Sequence, residues 1–158
     1  MARAFVGIGA NLGDPVAQVR AGIAALRVLP QTRLVAASSL YRTAPLGYTA
    51  QADFVNAVCL LETALAPRAL LDQLHAIEAA AGRERRFKDA PRTLDLDLLL
   101  YGDETIAEPG LTLPHPRLHE RAFALAPLVE LDPDCVIPGR GPAREALAAA
   151  TDQRIEKL

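Results

Sequence analysis

Pro91-Arg92-Thr93-Leu94-Asp95-Leu96-Asp97-Leu98-Leu99-Leu100-Tyr101 reads as a strand that is apolar but for two aspartates. Side chains alternate across a strand, so Asp95 and Asp97 share one face while Leu94, Leu96 and Leu98 share the other. The rise per residue puts the Cα atoms of the two aspartates roughly 6.5–7 Å apart. Asp is depleted in strands, and like charges on one face repel. A compensating positive charge is therefore expected. The gap suits two carboxylates gripping a divalent cation, or a pair of cations, between them. Ordinary aspartates on a solvated strand face are the alternative. The preceding residues argue against it: Arg83-Glu84-Arg85-Arg86-Phe87-Lys88-Asp89-Ala90-Pro91-Arg92 runs straight into the strand. Charge runs are usually solvated loops. A cationic loop beside paired carboxylates, however, is the arrangement expected for a metal-bound polyphosphate. Metals take carboxylate and phosphate oxygens, and guanidiniums take the remaining phosphate charge.

Outward from this strand, the chain alternates strand and helix signals. Residues 3–9 read as a first strand ending at glycines. Asp14-Pro15 marks a helix start, with Asp as N-cap and Pro in the first turn. That helix is expected to run to about Leu29, with Val16, Val19, Ile23 and Leu26 at helical spacing. Residues 33–42 read as a second strand, and Phe54–Glu62 as a third paired with it. Pro67 opens a second helix carrying Leu70, Leu71, Leu74, Ile77 and Ala81, closed by Gly82. The aspartate strand follows, then a short hairpin around Gly102-Asp103-Glu104. The order β-α-β-β-α-β is the split arrangement of a ferredoxin-like α+β fold. Helices near 119–130 and 143–151 complete the chain. No repeat, linker or low-complexity tract divides it, so 1–158 is expected to be a single domain.

The chain has 158 residues, enough for one domain with a real core, and 51% of them are hydrophobic, which argues against global disorder. A net charge of −2 disfavours a general nucleic-acid or membrane-surface binder. No long uncharged apolar run suits a membrane span, and the N-terminal apolar run is too short for a signal peptide. Cys59 and Cys135 stand alone in apolar surroundings and read as buried free thiols in a reducing compartment. A cytoplasmic protein is the expectation.

Three other segments bear on chemistry. Gly7-Ile8-Gly9-Ala10-Asn11-Leu12-Gly13 invites a dinucleotide reading but misplaces the third glycine, and Asp14 would oppose a pyrophosphate at the helix start. A tight strand-to-helix turn is the better reading. In Leu113-Pro114-His115-Pro116-Arg117-Leu118-His119-Glu120-Arg121, prolines fix the backbone around His115, which favours a positioned donor. His115 and Arg121 suit further phosphate contacts, with a surface loop as the alternative. Phe54 and Asn56 share a strand face. An aromatic plus an amide suits a flat polar heterocycle, which stacks on the ring while the amide reads its edge. An ordinary core aromatic with an edge Asn is the alternative.

Taken together these segments resemble the 6-hydroxymethyl-7,8-dihydropterin pyrophosphokinase family. The resemblance rests on Gly9–Gly13, Ser39-Leu40-Tyr41-Arg42-Thr43-Ala44-Pro45-Leu46-Gly47, Asp53-Phe54-Val55-Asn56-Ala57, Gly82-Arg83 through Leu98, Pro114-His115 and Arg121-Ala122-Phe123. It implies transfer of diphosphate from ATP to the hydroxymethyl group of a reduced pterin in folate biosynthesis, with release of AMP. It also implies a three-layer αβα arrangement and two Mg²⁺ ions. By matching position it makes Asp95 and Asp97 the metal ligands and, with Arg83 and Arg92, the catalytic set. Glu78, Arg85, Arg92, Leu98, His115 and Arg121 fall to ATP. Phe54 and Phe123 sandwich the pterin, while Asn56 and the backbone of Thr43, Ala44, Pro45 and Leu46 read its edge. Loops at 43–53 and 82–92 are expected to close over substrates, because ATP hydrolysis is the competing reaction. The expected partners are ATP and the reduced pterin, with no nucleic acid and no membrane, and the chain is expected to be a monomer. Well-known members carry a Trp in the basic loop, and this chain has none. Two other classes use the same features: a metal-dependent nucleotide phosphohydrolase, and a non-catalytic ferredoxin-like sensor of a small ligand.

Overall fold

The structure, a computed structural model, describes residues 1–44, 52–82 and 94–158. Its central sheet is antiparallel throughout. β1 (Ala2–Ala10) lies between β4 (Phe54–Thr63) and β5 (Asp95–Tyr101). The other edge of β4 is shared end to end by β2 (Thr32–Ala37) and β3 (Tyr41–Thr43), and β10 (Ile155–Lys157) pairs with β3. This is the ferredoxin-like α+β arrangement expected from the order of elements, with helices on both faces.

Helix α1 (Pro15–Arg27) starts as expected: the Asp14 carboxylate accepts the Ala17 N–H at 3.2 Å, and Pro15 occupies the first turn. It buries Val19, Gly22 and Leu26, one face at helical spacing. Helix α2 (Pro67–Ala80) buries Leu70, Leu71, Leu74 and, on the same face, Glu78. Both helices pack on Val6, Ile8, Leu94, Leu96 and Leu98. Leu70 and Leu74 are fully buried, and each such side chain contributes about 1.5–3 kcal/mol. On the opposite face, α3 (Ala122–Leu131) and α4 (Ala143–Ala149) form a second core with Phe5, Val58, Leu60, Leu99 and Leu100. Three layers result: helices, sheet, helices.

Three sequence expectations change. The second strand is not continuous over 33–42 but breaks into β2 and β3 at Ser38-Ser39-Leu40. The break is a serine effect. Ser38 Oγ accepts the Val58 N–H at 2.9 Å while its own N–H donates to the Val58 carbonyl, and the Ser39 N–H turns away to Glu130. The hairpin expected around Gly102-Asp103-Glu104 is displaced. Gly102 (φ +53°) ends β5, and the actual hairpin joins β6 (Ile106–Glu108) to β7 (Leu111–Leu113) across Pro109-Gly110. Gly7 and Gly9 lie inside β1, so the strand-to-helix turn starts only after Ala10. Cys59 and Cys135 are buried free thiols, and burial pushes the Cys59 thiol up to about 12. A small pairing of β8 (Val136–Ile137) with β9 (Gly141–Pro142) precedes α4.

Candidate functional site

Helices α3 and α4 cover only part of their sheet face, and the open remainder forms the floor of a cleft of about 270 Å³. Cross-strand register explains its chemistry. Asp95 stands opposite Gly9 and Asp97 opposite Gly7 on β1. Gly9 in turn stands opposite Asn56 on β4. Directly paired residues share a face, so both aspartates look across a strip of sheet without side chains. Their leucine neighbours Leu94, Leu96 and Leu98 are buried on the other face. The alternation read from the sequence holds.

Gly9 is required by space rather than by backbone angle. A Cβ there would lie 2.6 Å from Asn56 Oδ1. Asn56 is buried, and its Nδ2 donates to Thr43 Oγ1 at 2.9 Å. Thr43 pairs with Phe54 across β3 and β4. Thr43, Ala44, Phe54 and Asn56 thus make one wall of the cleft, and Arg121 and Phe123 at the start of α3 make another. The Arg121 guanidinium lies 5.5 Å from the centre of the Phe123 ring, a cation–π contact.

His115 enters between these walls. Its N–H donates to the Leu99 carbonyl at 2.9 Å, fastening it to the edge of β5. Its Nδ1 accepts the Arg117 N–H at 3.1 Å, which leaves the neutral ring's proton on Nε2. Burial, reinforced by Arg121 and Arg117 and opposed by Asp95, pushes its pKa down to about 4. At neutral pH His115 is therefore an uncharged N–H donor beside a polar cleft.

The cleft brings together Asp95, Asp97, His115, Arg121, Thr43, Ala44, Phe54, Asn56 and Phe123 from the sequence-derived set. Two others sit elsewhere. The Leu98 side chain is buried on the α1–α2 face. Glu78 is buried under the sheet, where Oε2 accepts the Leu96 N–H at 2.8 Å. It grips the strand from behind, at the residue between the two aspartates. Arg83, Arg85, Arg92, Pro45 and Leu46 lie outside the described residues. The sequence reading missed Gly7 and Gly9 as cleft floor, and Arg117 on its rim. The glycines carry the same two-residue spacing as the aspartates, and that match was the available signal.

Asp95 and Asp97 supply hard oxygen donors of the kind a divalent cation such as Mg²⁺ takes. Among the described residues no cluster of three or more His, Cys, Asp or Glu side chains is placed to hold a metal. Two carboxylates leave most of a cation's coordination to other oxygens, which fits an ion arriving on phosphates and does not fit an all-protein cage.

The chain is similar to known proteins over most of its length. The family model described as 7,8-dihydro-6-hydroxymethylpterin-pyrophosphokinase matches residues 5–133. A Pseudomonas aeruginosa protein named 2-amino-4-hydroxy-6-hydroxymethyldihydropteridine pyrophosphokinase is 47% identical over 156 residues, covering 99% of this chain and 96% of that one. A Haemophilus influenzae protein of the same name is 43% identical over 158 residues, covering 100% and 99%. Among solved structures, wild-type HPPK-DHPS of Plasmodium falciparum superposes with a TM-score of 0.74 at 12% identity. That match covers 96% of this chain and 45% of the other, which is a likeness of fold. No helix among the described residues is long and apolar enough to cross a membrane.

Proposed function

The chain belongs to the 7,8-dihydro-6-hydroxymethylpterin-pyrophosphokinase family, and from that premise we infer how its cleft divides the work of diphosphate transfer. The reaction moves the β- and γ-phosphates of ATP to the hydroxymethyl group of 6-hydroxymethyl-7,8-dihydropterin, in folate biosynthesis. The hydroxymethyl oxygen forms a bond to the β-phosphorus. The bond from that phosphorus to the oxygen bridging the α-phosphate breaks, AMP leaves, and the hydroxyl proton is lost.

One observation carries the division of roles. The paired carboxylates of Asp95 and Asp97 open onto the same cleft as Phe54, Asn56 and Phe123. The carboxylates suit a pair of Mg²⁺ ions riding on the triphosphate. Bound there, such ions neutralise phosphate charge and lower the pKa of the attacking hydroxyl. Phe54 and Phe123 offer ring faces to the flat pterin, and Asn56 with the Thr43–Ala44 backbone offers edge donors and acceptors. The amide of Asn56 is held by Thr43, so its donor and acceptor ends are fixed before substrate arrives. His115 presents Nε2–H, and Arg121 presents a guanidinium, to phosphate oxygens. Arg83, Arg85 and Arg92 complete the phosphate clamp in this reading, and stabilise charge on the transferred group. Glu78 acts from behind, through the Leu96 amide, on the strand that carries both aspartates. The protein works as a monomer in the cytoplasm.

Incubation with ATP and Mg²⁺, with and without the reduced pterin, tests the reading. AMP release that depends on pterin, matched by pterin diphosphate, is the expected result. AMP or ADP released equally without pterin would indicate a nucleotide phosphohydrolase instead.

A further inference from the structure

Residues 153–158 connect the helix wall of the cleft to its sheet wall. Gln153 holds the backbone on both sides of Arg121. Its Oε1 accepts the Ala122 N–H at 2.9 Å, and its Nε2 donates to the Glu120 carbonyl. Ala122 is the first residue of α3, so its N–H has no acceptor within the helix. Arg121, at the N-cap position, makes no side-chain capping bond there. Gln153 therefore provides the cap from 31 residues away. A neutral amide is suited to this, because it carries an acceptor and a donor on one rigid group.

The residues that follow join β3. Ile155 pairs with Thr43 and Lys157 with Tyr41, and the Leu158 N–H donates to the Leu40 carbonyl at 2.9 Å. The far end of α3 is fastened to the same ribbon. The Glu130 carboxylate accepts from the Tyr41 hydroxyl at 2.6 Å and the Ser39 N–H at 2.8 Å, and Lys157 Nζ stands 3.8 Å away. Helix α3 is thus tied to the β3–β10 ribbon at both ends. Its first turn carries Phe123 into the cleft, and β3 carries Thr43.

We propose that the segment Gln153–Lys157 is a strap that sets the separation between Phe123 and the Thr43–Phe54 wall, with Gln153 a positioning residue for the pterin ring. The proposal rests on the pterin site inferred above. Gln153 touches no substrate and acts through the turn at 120–123. A stacking slot tolerates errors of only about 0.5 Å, so a loosened first turn of α3 weakens pterin binding, and through Arg121 it reaches the phosphate contacts as well.

Gln153→Met keeps the length of the side chain and removes both hydrogen bonds. Its pterin KM rises about fivefold, the effect of one lost helix cap, its ATP KM rises by no more than that through Arg121, and kcat stays within about twofold of wild type. Gln153→Glu retains an acceptor for the Ala122 N–H, so its pterin KM falls between those of Gln153→Met and wild type. Thr32→Val breaks the 2.8 Å hydroxyl pair with Thr63 at the other end of the sheet, and serves as the control for lost stability alone. Amide exchange gives a readout independent of turnover: Ala122–Leu125 exchange faster in Gln153→Met, while β1 and β4 are unchanged. The proposal is overturned by a Gln153→Met pterin KM indistinguishable from wild type, by an equal rise in Thr32→Val, or by unaltered exchange at Ala122. If wild-type protein shows no pterin-dependent AMP release, the functional reading fails, and exchange at Ala122 still decides whether the strap exists.

Discussion

Gly9→Ala is a sharp test of how the cleft floor is built. Gly9 lies in β1 between Asp95 and Asn56 in the cross-strand row, and its φ lies outside the left-handed region. Any cost of adding a methyl group is therefore steric. The new Cβ would sit 2.6 Å from Asn56 Oδ1, well inside the ordinary contact distance of about 3.5–4 Å. Asn56 has little room to yield, because it is buried and its Nδ2 is committed to Thr43 Oγ1. Turning the amide away sacrifices that bond, worth about 1 kcal/mol, on top of an overpacking cost of about 1–3 kcal/mol. Urea unfolding of Gly9→Ala should show a loss of about 2–4 kcal/mol, and its pterin KM should rise because the edge-reading amide has moved. Gly7→Ala is the reference: its Cβ would meet Leu99 at 3.4 Å, an ordinary contact, and it should cost under about 1 kcal/mol. Asn56→Ala removes the obstruction, so Gly9→Ala in that background should also cost under about 1 kcal/mol, the shortfall being the coupling energy of the cycle. Equal costs for Gly9→Ala in both backgrounds, or a cost no greater than that of Gly7→Ala, would refute the close approach.

Glu78→Ala strands the buried Leu96 N–H and should cost about 1–3 kcal/mol in thermal unfolding; Glu78→Gln keeps an acceptor and should cost less, and an Ala variant of wild-type stability would dismiss Glu78 as the grip on β5. His115 makes the metal-free protein pH-sensitive. Its folded pKa of about 4 lies below the ordinary 6.5, so the unfolded chain takes up the proton first as pH falls. Stability is then complete above pH 6.5 and declines between pH 6.5 and 4, by up to about 3 kcal/mol; denaturation of His115→Gln should lack this contribution, and an unchanged profile would contradict it. Mg²⁺ titrated alone by calorimetry should bind with a Kd on the order of 10⁻⁴ M or weaker, tightening when an ATP analogue is present; tight binding of the ion by itself would reveal protein ligands beyond the two aspartates.

The fold was legible where local signals agreed with tertiary packing. The Asp14-Pro15 helix start, the apolar stripe of α1 and the alternation over 94–98 each specify one face to bury, and each reappears in the structure. Where side chains replace backbone partners, the reading failed: Ser38 and Ser39 divide an otherwise good strand because their neighbours bond to Oγ atoms and to a distant carboxylate. Strand β10 escaped notice because Ile155-Glu156-Lys157 is too short and polar to announce a strand, and only β3 gives it a partner. In the site, Asp95, Asp97, Phe54 and Asn56 were visible because strand periodicity places them. Glu78 entered only through the family resemblance, as an ATP contact, and only the structure gives it the Leu96 amide. Gln153 carried no signal, since its meaning depends on a helix end 31 residues earlier.

The most direct measurement pairs turnover with stability in Asp97→Asn. The substitution preserves shape, so the unliganded protein should stay folded and unfold cooperatively. Pterin-dependent AMP release should fall by on the order of a thousandfold or more, because the remaining carboxylate cannot hold the nucleotide's metal ions alone. Turnover near the wild-type rate, or lost activity that merely tracks a collapsed melting temperature, would contradict the paired-carboxylate site.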